Sequence, residues 1–151
     1  HVDLMATVAA LLDVKLPDDA GVDSYDLLPA FRGEKLTKPI REASVHHALS
    51  GKFAIRKGDW ALIAAPTGDD NGKLGEPDWF KKDRGYKPHD QTMELFDLRK
   101  DLAERDNMSA NHPEVMKEMT ELLRKYISEG RSTPGIKQSN DVPVSFDKPK
   151  S

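Results

Sequence analysis

The chain of 151 residues contains no cysteine. That absence removes disulfides, thiolate metal sites and cysteine nucleophiles together, while leaving the compartment undecided. It also lacks any apolar run approaching the roughly 20 residues that a membrane-crossing helix needs. Excess positive charge is missing too: 23 Lys and Arg stand against 26 Asp and Glu, giving a net charge of −3 and an isoelectric point near 6.0. Nucleic-acid binding calls for a basic face, and this balance provides none. With 37% hydrophobic and 32% charged residues, 10 Gly and 10 Pro, the chain is polar and loop-rich but still globular. Its length fits one domain, or one small domain plus a piece of another.

What is present is a stretch of alternation from Ser44 to Ala65. Val45, His47 and Leu49 alternate with His46, Ala48 and Ser50; Phe53 and Ile55 with Lys52, Ala54 and Arg56; Trp60 and Leu62 with Ala61 and Ile63. Strand side chains point to opposite faces with a period of two, so each run has one face fit for burial. Gly51 and Gly58 supply the positive-φ residues that tight turns require. The pattern predicts a three-strand antiparallel meander, and Thr92 to Leu98 reads as a fourth strand.

Such a sheet needs a cover. From Asn111 to Glu129, the residues Val115, Met116, Met119, Leu122, Leu123, Tyr126 and Ile127 fall on one helical stripe. Asn111 is placed to cap this helix, with Glu114 completing a capping box, Pro113 in the first turn and Gly130 closing the end. Two shorter helices are expected earlier. The first carries a stripe of Leu4, Val8, Leu11 and Leu12 and is stopped by Pro17; the second runs from about Ser24 or Asp26 to Arg32, with Leu27, Leu28 and Phe31. The expected class is α+β: a small four-stranded antiparallel sheet packed by a long C-terminal helix and preceded by two short helices. The expected divisions are 1–36, 37–130, and an extended tail over 131–151. A helix at the first residue, with no methionine, suggests a chain cut from something longer. The stripe within residues 4–12 is then expected to self-associate or to dock on the chain's own sheet.

Chemistry is harder to find. His46 and His47 are the pair to examine as a substrate-binding site, but alternation sends one ring into the apolar face and the other outward, so the two cannot share one metal ion. Gly68-Asp69-Asp70-Asn71-Gly72 has contiguous instead of alternating acids, which fits a solvent-facing turn better than a calcium loop. The polar stretch from Pro66 to Gln91 exceeds the usual loop length. Within it Trp79-Phe80 reads as a local anchor, and His89, like His112, as an ordinary surface residue. No serine sits in a nucleophile elbow. The residues themselves therefore indicate neither a catalytic residue nor a metal ligand set.

Residue order adds a family. His1-Val-Asp-Leu-Met-Ala-Thr, then Asp26-Leu-Leu-Pro to Arg32-Gly33, resembles the end of the catalytic domain of type I sulfatases, the arylsulfatase A-like enzymes of the alkaline phosphatase superfamily. Gly51-Lys-Phe-Ala-Ile-Arg-Lys-Gly-Asp-Trp-Ala-Leu-Ile resembles their C-terminal strand pair. Glu94-Leu-Phe-Asp-Leu-Arg-Lys-Asp, running on to Glu104 and Asn107, resembles their turn of the form L-Y-D-L, D-P-x-E-x-N. His112-Pro-Glu and Gly130-Arg-Ser-Thr-Pro-Gly, with Gln138, Asn140 and Asp141, resemble their last helix and tail. Ala61 departs from the usual lysine, and Lys100-Asp101-Leu102 from the usual Asp-Pro. The resemblance implies a C-terminal fragment of an enzyme that hydrolyses sulfate esters, periplasmic or extracellular. A formylglycine and a bound calcium would lie in a missing N-terminal catalytic domain. It implies that this chain alone is inactive and lines one side of a substrate cleft, with His46, His47 and the 66–91 loop as the parts that could reach substrate. Two alternatives stay open: a stand-alone binding module with the same tail architecture, and the tail of a related phosphoester hydrolase.

Overall fold

A computed structural model describes residues 1–48, 50–68 and 75–144. The acidic turn at 69–72, Leu49 of the first apolar run and residues 145–151 of the expected tail lie outside the described residues. The chain divides into two compact units, one of residues 43–123 and one of residues 1–42 together with the chain from Arg124 onward.

In the first unit the alternating runs become β1 (Ser44–His47), β2 (Phe53–Lys57) and β3 (Trp60–Ile63), joined by β4 (Glu94–Asp97) in the antiparallel order β1-β2-β3-β4. Cross-strand register places Val45, Ile55, Leu62 and Leu95 opposite one another in one row. The last three are fully buried, because period-two alternation puts them on a single face. Lys57 and Trp60 share that face, and they meet the long helix α4 (Pro113–Glu129). The Lys57 Nζ lies 2.8 Å from Glu118 Oε1, and the Trp60 ring centroid lies 4.8 Å from that of His112. Met119 and Leu123 of α4 are buried. The helix thus covers the apolar face of the sheet, as the amphipathic spacing predicts.

Two local details differ from the sequence reading. The helix opens at Pro113, which leaves His112 rather than Asn111 at the capping position, and Glu114 faces the His112 Nδ1 at 3.3 Å. The division between the two units falls within this helix, between Leu123 and Arg124. Asn107 does what no pattern foretold. Its Oδ1 accepts from the Leu95 and Ser109 N–H groups at 2.9 and 3.0 Å, and its Nδ2 donates to the Met93 carbonyl at 3.0 Å. With the Met108 N–H on the Leu95 carbonyl at 2.7 Å, this side chain continues the ladder beyond β4, where bare edge groups would otherwise invite another strand.

In the second unit α1 (Leu4–Leu11) buries only Thr7 and Ala9. Asp3 makes no capping bond. Its Oδ1 accepts from the Tyr25 N–H at 2.9 Å and pairs with Arg41, whose guanidinium lies 4.7 Å from the Tyr25 ring centroid. Ser24 Oγ accepts from the Ala6 N–H at 2.8 Å and Thr7 Oγ1 from the Leu27 N–H at 3.0 Å. Residues 24, 25 and 27 are thus bonded to α1 and its approach, and α2 is only Leu28–Phe31, with Asp26 Oδ1 accepting from the Leu28 N–H at 2.8 Å. The expected stripe stays uncovered by the described residues: Leu4, Met5, Val8, Leu11 and Leu12 are 49–66% exposed.

After α4, residues 131–136 carry no regular element, yet they wrap around one guanidinium. Arg131 is buried and donates to the carbonyls of Asp18, Thr133, Pro134 and Ile136, to Thr133 Oγ1 and to Asp18 Oδ2, at 2.8–3.1 Å. Gly130 makes the turn possible. Its φ is +62°, and a Cβ there would meet the Gln138 carbonyl oxygen at 2.5 Å.

Candidate functional site

The other face of the sheet is not covered by α4. Register places His46, Ala54, Ile63 and Glu94 in one row there, with Ala61 beside Phe96 in the next. A cavity of about 250 Å³ opens on this face, with walls that include His46, His47, Lys52, Ala54, Ala61, Ile63, Gly68 and Glu104. Two alanines, diagonal to one another on neighbouring strands, present little side chain to the cavity.

Behind this cavity lies a buried carboxylate. Glu94, 2% exposed, accepts from the Gly68 N–H at 2.6 Å and from the Tyr86 hydroxyl at 3.3 Å, and its Oε1 lies 3.0 Å from His89 Nε2. A charge out of water survives only with such partners, and these three tie the two ends of the long polar stretch to β4. Burial, followed by the Glu94 charge and hydrogen bond, raises the Tyr86 pKa above its ordinary value, and the Arg84 guanidinium works against that. Arg84, 4.8 Å from the centre of the Tyr86 ring, also bonds Glu76 Oε2 and the carbonyls of Ala103 and Glu104.

Those last bonds fix the backbone of Glu104, a non-glycine residue at φ +51°. Its carboxyl lines the cavity, half-buried, and accepts no hydrogen bond from a described residue. Burial raises its pKa, with Glu94 and Asp101 adding to the rise and Arg84 and His46 opposing it. The cavity therefore presents the Glu104 carboxyl beside Lys52 and two histidines, a lining of mixed charge.

Of the residues singled out from sequence, His46 and His47 lie on opposite faces, as alternation requires, and both border the cavity. Both are exposed, with the His47 ring edge-on to Phe53 at 6.0 Å between centroids. The reason is position: β1 is an edge strand, so even its apolar side has sheet on one flank only. His89 is a correction, since its side chain is 12% exposed and bonded to Glu94 rather than lying free on the surface. Trp79-Phe80 is another. The pair sits on a helix unforeseen in the sequence, α3 (Asp78–Asp83), with Trp79 70% exposed, and Arg84 does the anchoring instead. Glu94, Tyr86 and Glu104 escaped the sequence reading. The one signal for Glu94 was an acid at an interior strand position between apolar neighbours.

A second cavity, of about 470 Å³, lies within the unit of residues 1–42 and 124 onward, lined by Tyr25, Tyr126, Lys125, Glu129, Ser132 and Thr133 among others. The Tyr25 hydroxyl spans part of it to the Ser132 carbonyl at 2.6 Å. Among the described residues no three His, Asp or Glu side chains converge as a metal site.

No family model matches the chain. An N-acetylgalactosamine-6-O-sulfatase of Bacteroides thetaiotaomicron is 36% identical over 123 residues, which is 82% of this chain and 22% of that protein. A solved sulfatase structure, described under the metabolism of multiple glycosaminoglycans by the same organism, superposes with a TM-score of 0.63 at 33% identity, over 82% of this chain and 24% of that one. A 2-O GAG sulfatase at 21% identity and a TM-score of 0.53, over 83% of this chain and 24% of its own, shares the fold. The chain spans about a fifth to a quarter of the length of these relatives.

Proposed function

The chain is sulfatase-related, and from that premise we propose that it forms the C-terminal subdomain of an enzyme hydrolysing sulfate esters. The observation that carries this reading is the match to a sulfatase over most of the chain, at an identity well above what fold alone would give. The substrate class that goes with it is a sulfated amino sugar of the glycosaminoglycan kind, after the names of the two relatives above 30% identity.

The groups that such chemistry uses, a formylglycine and a calcium ion, do not fit the residues here. There is no cysteine, no serine in a nucleophile elbow, and among the described residues no cluster that would ligate a cation. Both belong to an N-terminal catalytic domain, and the chain by itself turns over no sulfate ester. Its contribution is a wall of the cleft. His46 and His47, exposed at the edge of the sheet, supply ring nitrogens to the substrate. The exposed stripe of α1 is the surface that meets the catalytic domain or, without it, a second copy of this chain. A periplasmic or extracellular location follows from the same relationship.

The test compares this chain with the longer reading frame that encodes it. Release of sulfate from N-acetylgalactosamine 6-sulfate is expected from the longer protein in the presence of calcium and not from the chain of 151 residues. Turnover by the short chain, or none by the long one on any sulfated sugar, would overturn the reading.

A further inference from the structure

Both ring nitrogens of His89 are committed. Nε2 lies 3.0 Å from Glu94 Oε1, and Nδ1 lies 3.2 Å from the backbone nitrogen of Gln91. A backbone N–H only donates, so Nδ1 is the accepting nitrogen and the ring is neutral, with its proton on Nε2. That proton points at the buried Glu94 carboxylate, which also accepts from the Gly68 N–H at 2.6 Å and from the Tyr86 hydroxyl at 3.3 Å. His89 thus ties the chain entering β4 to β4 itself. Toward Gln91, two residues on, its Nδ1 fills the place that an asparagine oxygen takes in an Asx turn.

We propose that His89 is a proton-operated latch on the corner formed by residues 88–91, closed while its ring is neutral and opened at the Gln91 end when the ring takes up a second proton. The latch does not depend on the sulfatase reading. The groups around the ring decide which end gives way. Glu94 faces Nε2 from β4, and a carboxylate holds an imidazolium at least as firmly as a neutral ring. Tyr86 packs on the ring at 6.1 Å between centroids and stays a neutral donor, its pKa raised by burial and by Glu94. Arg84 stands on Tyr86, 4.8 Å from the ring centre, and is paired with Glu76 at 3.0 Å. Glu104 lies within electrostatic reach of Glu94, and Asp90 accepts from the Gln91 side chain at 3.0 Å. The Glu94 end therefore survives protonation. At Nδ1 the added proton turns an acceptor into a donor, so two N–H groups face each other and the bond is lost. Residues 86 and 87 are fastened elsewhere, by the Tyr86 N–H on the Lys81 carbonyl and the Lys87 N–H on the Arg105 carbonyl, which confines the release to the corner before β4.

Ring-nitrogen and amide NMR of the whole chain, followed from about pH 8 to about pH 5, tests the latch. At the alkaline end the His89 ring is expected in its Nε2–H form with Nδ1 bare. As the ring takes its second proton, protection of the Gln91 amide, corrected for the intrinsic pH dependence of exchange, should fall roughly five-fold, the scale of one neutral hydrogen bond. Protection of Gly68 should hold. His89→Asn still accepts from Gln91 but neither reaches Glu94 nor titrates, so Gln91 should stay protected at every pH. His89→Gln sets its amide where Nε2 stands and offers Gln91 no acceptor, so that protection should be missing at every pH. Unmoved signals from Ile55, Leu62 and Leu95 report that each variant is folded. An Nδ1–H ring at alkaline pH, a Gln91 amide indifferent to the protonation of His89, release of Gly68 together with Gln91, or a pH response that persists in His89→Asn would each overturn the latch.

Discussion

The two units of this chain are built on different physics. The sheet unit buries large aliphatic and aromatic side chains to completion: Ile55, Leu62, Leu95, Phe96, Met119 and Leu123 are each no more than 2% exposed. The other unit buries Ala9, Thr7, Ser24 and Arg131, and coheres through hydrogen bonds from Asp3, Thr7, Ser24 and Arg131. Its large apolar residues face outward. The difference shows which unit draws its stability from a closed apolar core and which from a polar network, with large apolar side chains left exposed.

The sharpest way to break this comparison is a core truncation. Leu62→Ala, at a fully buried position in the central row, should destabilise the sheet unit by about 2–5 kcal/mol in urea unfolding. A loss below 1 kcal/mol, on the order of a surface change, would mean the core is not what holds that unit.

Next in size is the polar hub. Arg131→Lys keeps the charge but cannot reproduce the fork of bonds to four carbonyls, Thr133 and Asp18. We expect a loss of about 2–3 kcal/mol from acceptors left unsatisfied, read as faster hydrogen exchange at 133–138 with the strands of the sheet unaffected. Equal acceleration in both units would erase the distinction between them.

A smaller effect, with a defined sign, comes from Glu104. Its pKa is raised in the folded chain, so the native state holds the proton more tightly than the unfolded one. Stability contributed by this group is therefore present at low pH and declines as pH rises from the ordinary carboxylate value through the raised one. Glu104→Gln should remove that decline and make the chain more stable at neutral pH than wild type, measured as urea midpoints from pH 4 to 7. A midpoint that drops at neutral pH in the variant would contradict the direction. A residue that lowers stability where it stands is also what a binding role would leave behind.

The smallest effect on stability should come from α1. Leu4→Lys with Leu11→Lys alters side chains that are 56 and 63% exposed, so unfolding should shift by no more than about 0.5 kcal/mol per site. Association should respond instead: sedimentation velocity is expected to show self-association in the wild-type chain and a monomer in the double variant. A monomeric wild type would indicate that this face needs no cover.

Much of the fold was legible because it repeats. Alternation at Ile55 and Leu62 and helical spacing at Met119 and Leu123 each encode a face in nearby residues, and burial follows that code at interior positions, while Val45 on the edge strand stays exposed. α3 was not legible, since Asp78–Asp83 has no apolar stripe and is fastened by Arg84 to residues 76, 103 and 104. The candidate site was half legible. His46 and His47 stand out as a pair in any reading, but Glu94, Tyr86, His89 and Glu104 are separated along the chain and only adjacent in space.

By itself, then, the sequence determined the elements and their apolar faces, because local periodicity is written in neighbours, and it carried the residue order that resembles sulfatases. Only the tertiary structure decided what the polar residues do. Whether a glutamate is solvated, buried behind a sheet or left facing a cavity depends on which distant backbone reaches it. Gly68 and His89 meeting Glu94, and Arg84 turning Glu104 toward His46, are decided by chain crossings that no window of consecutive residues records.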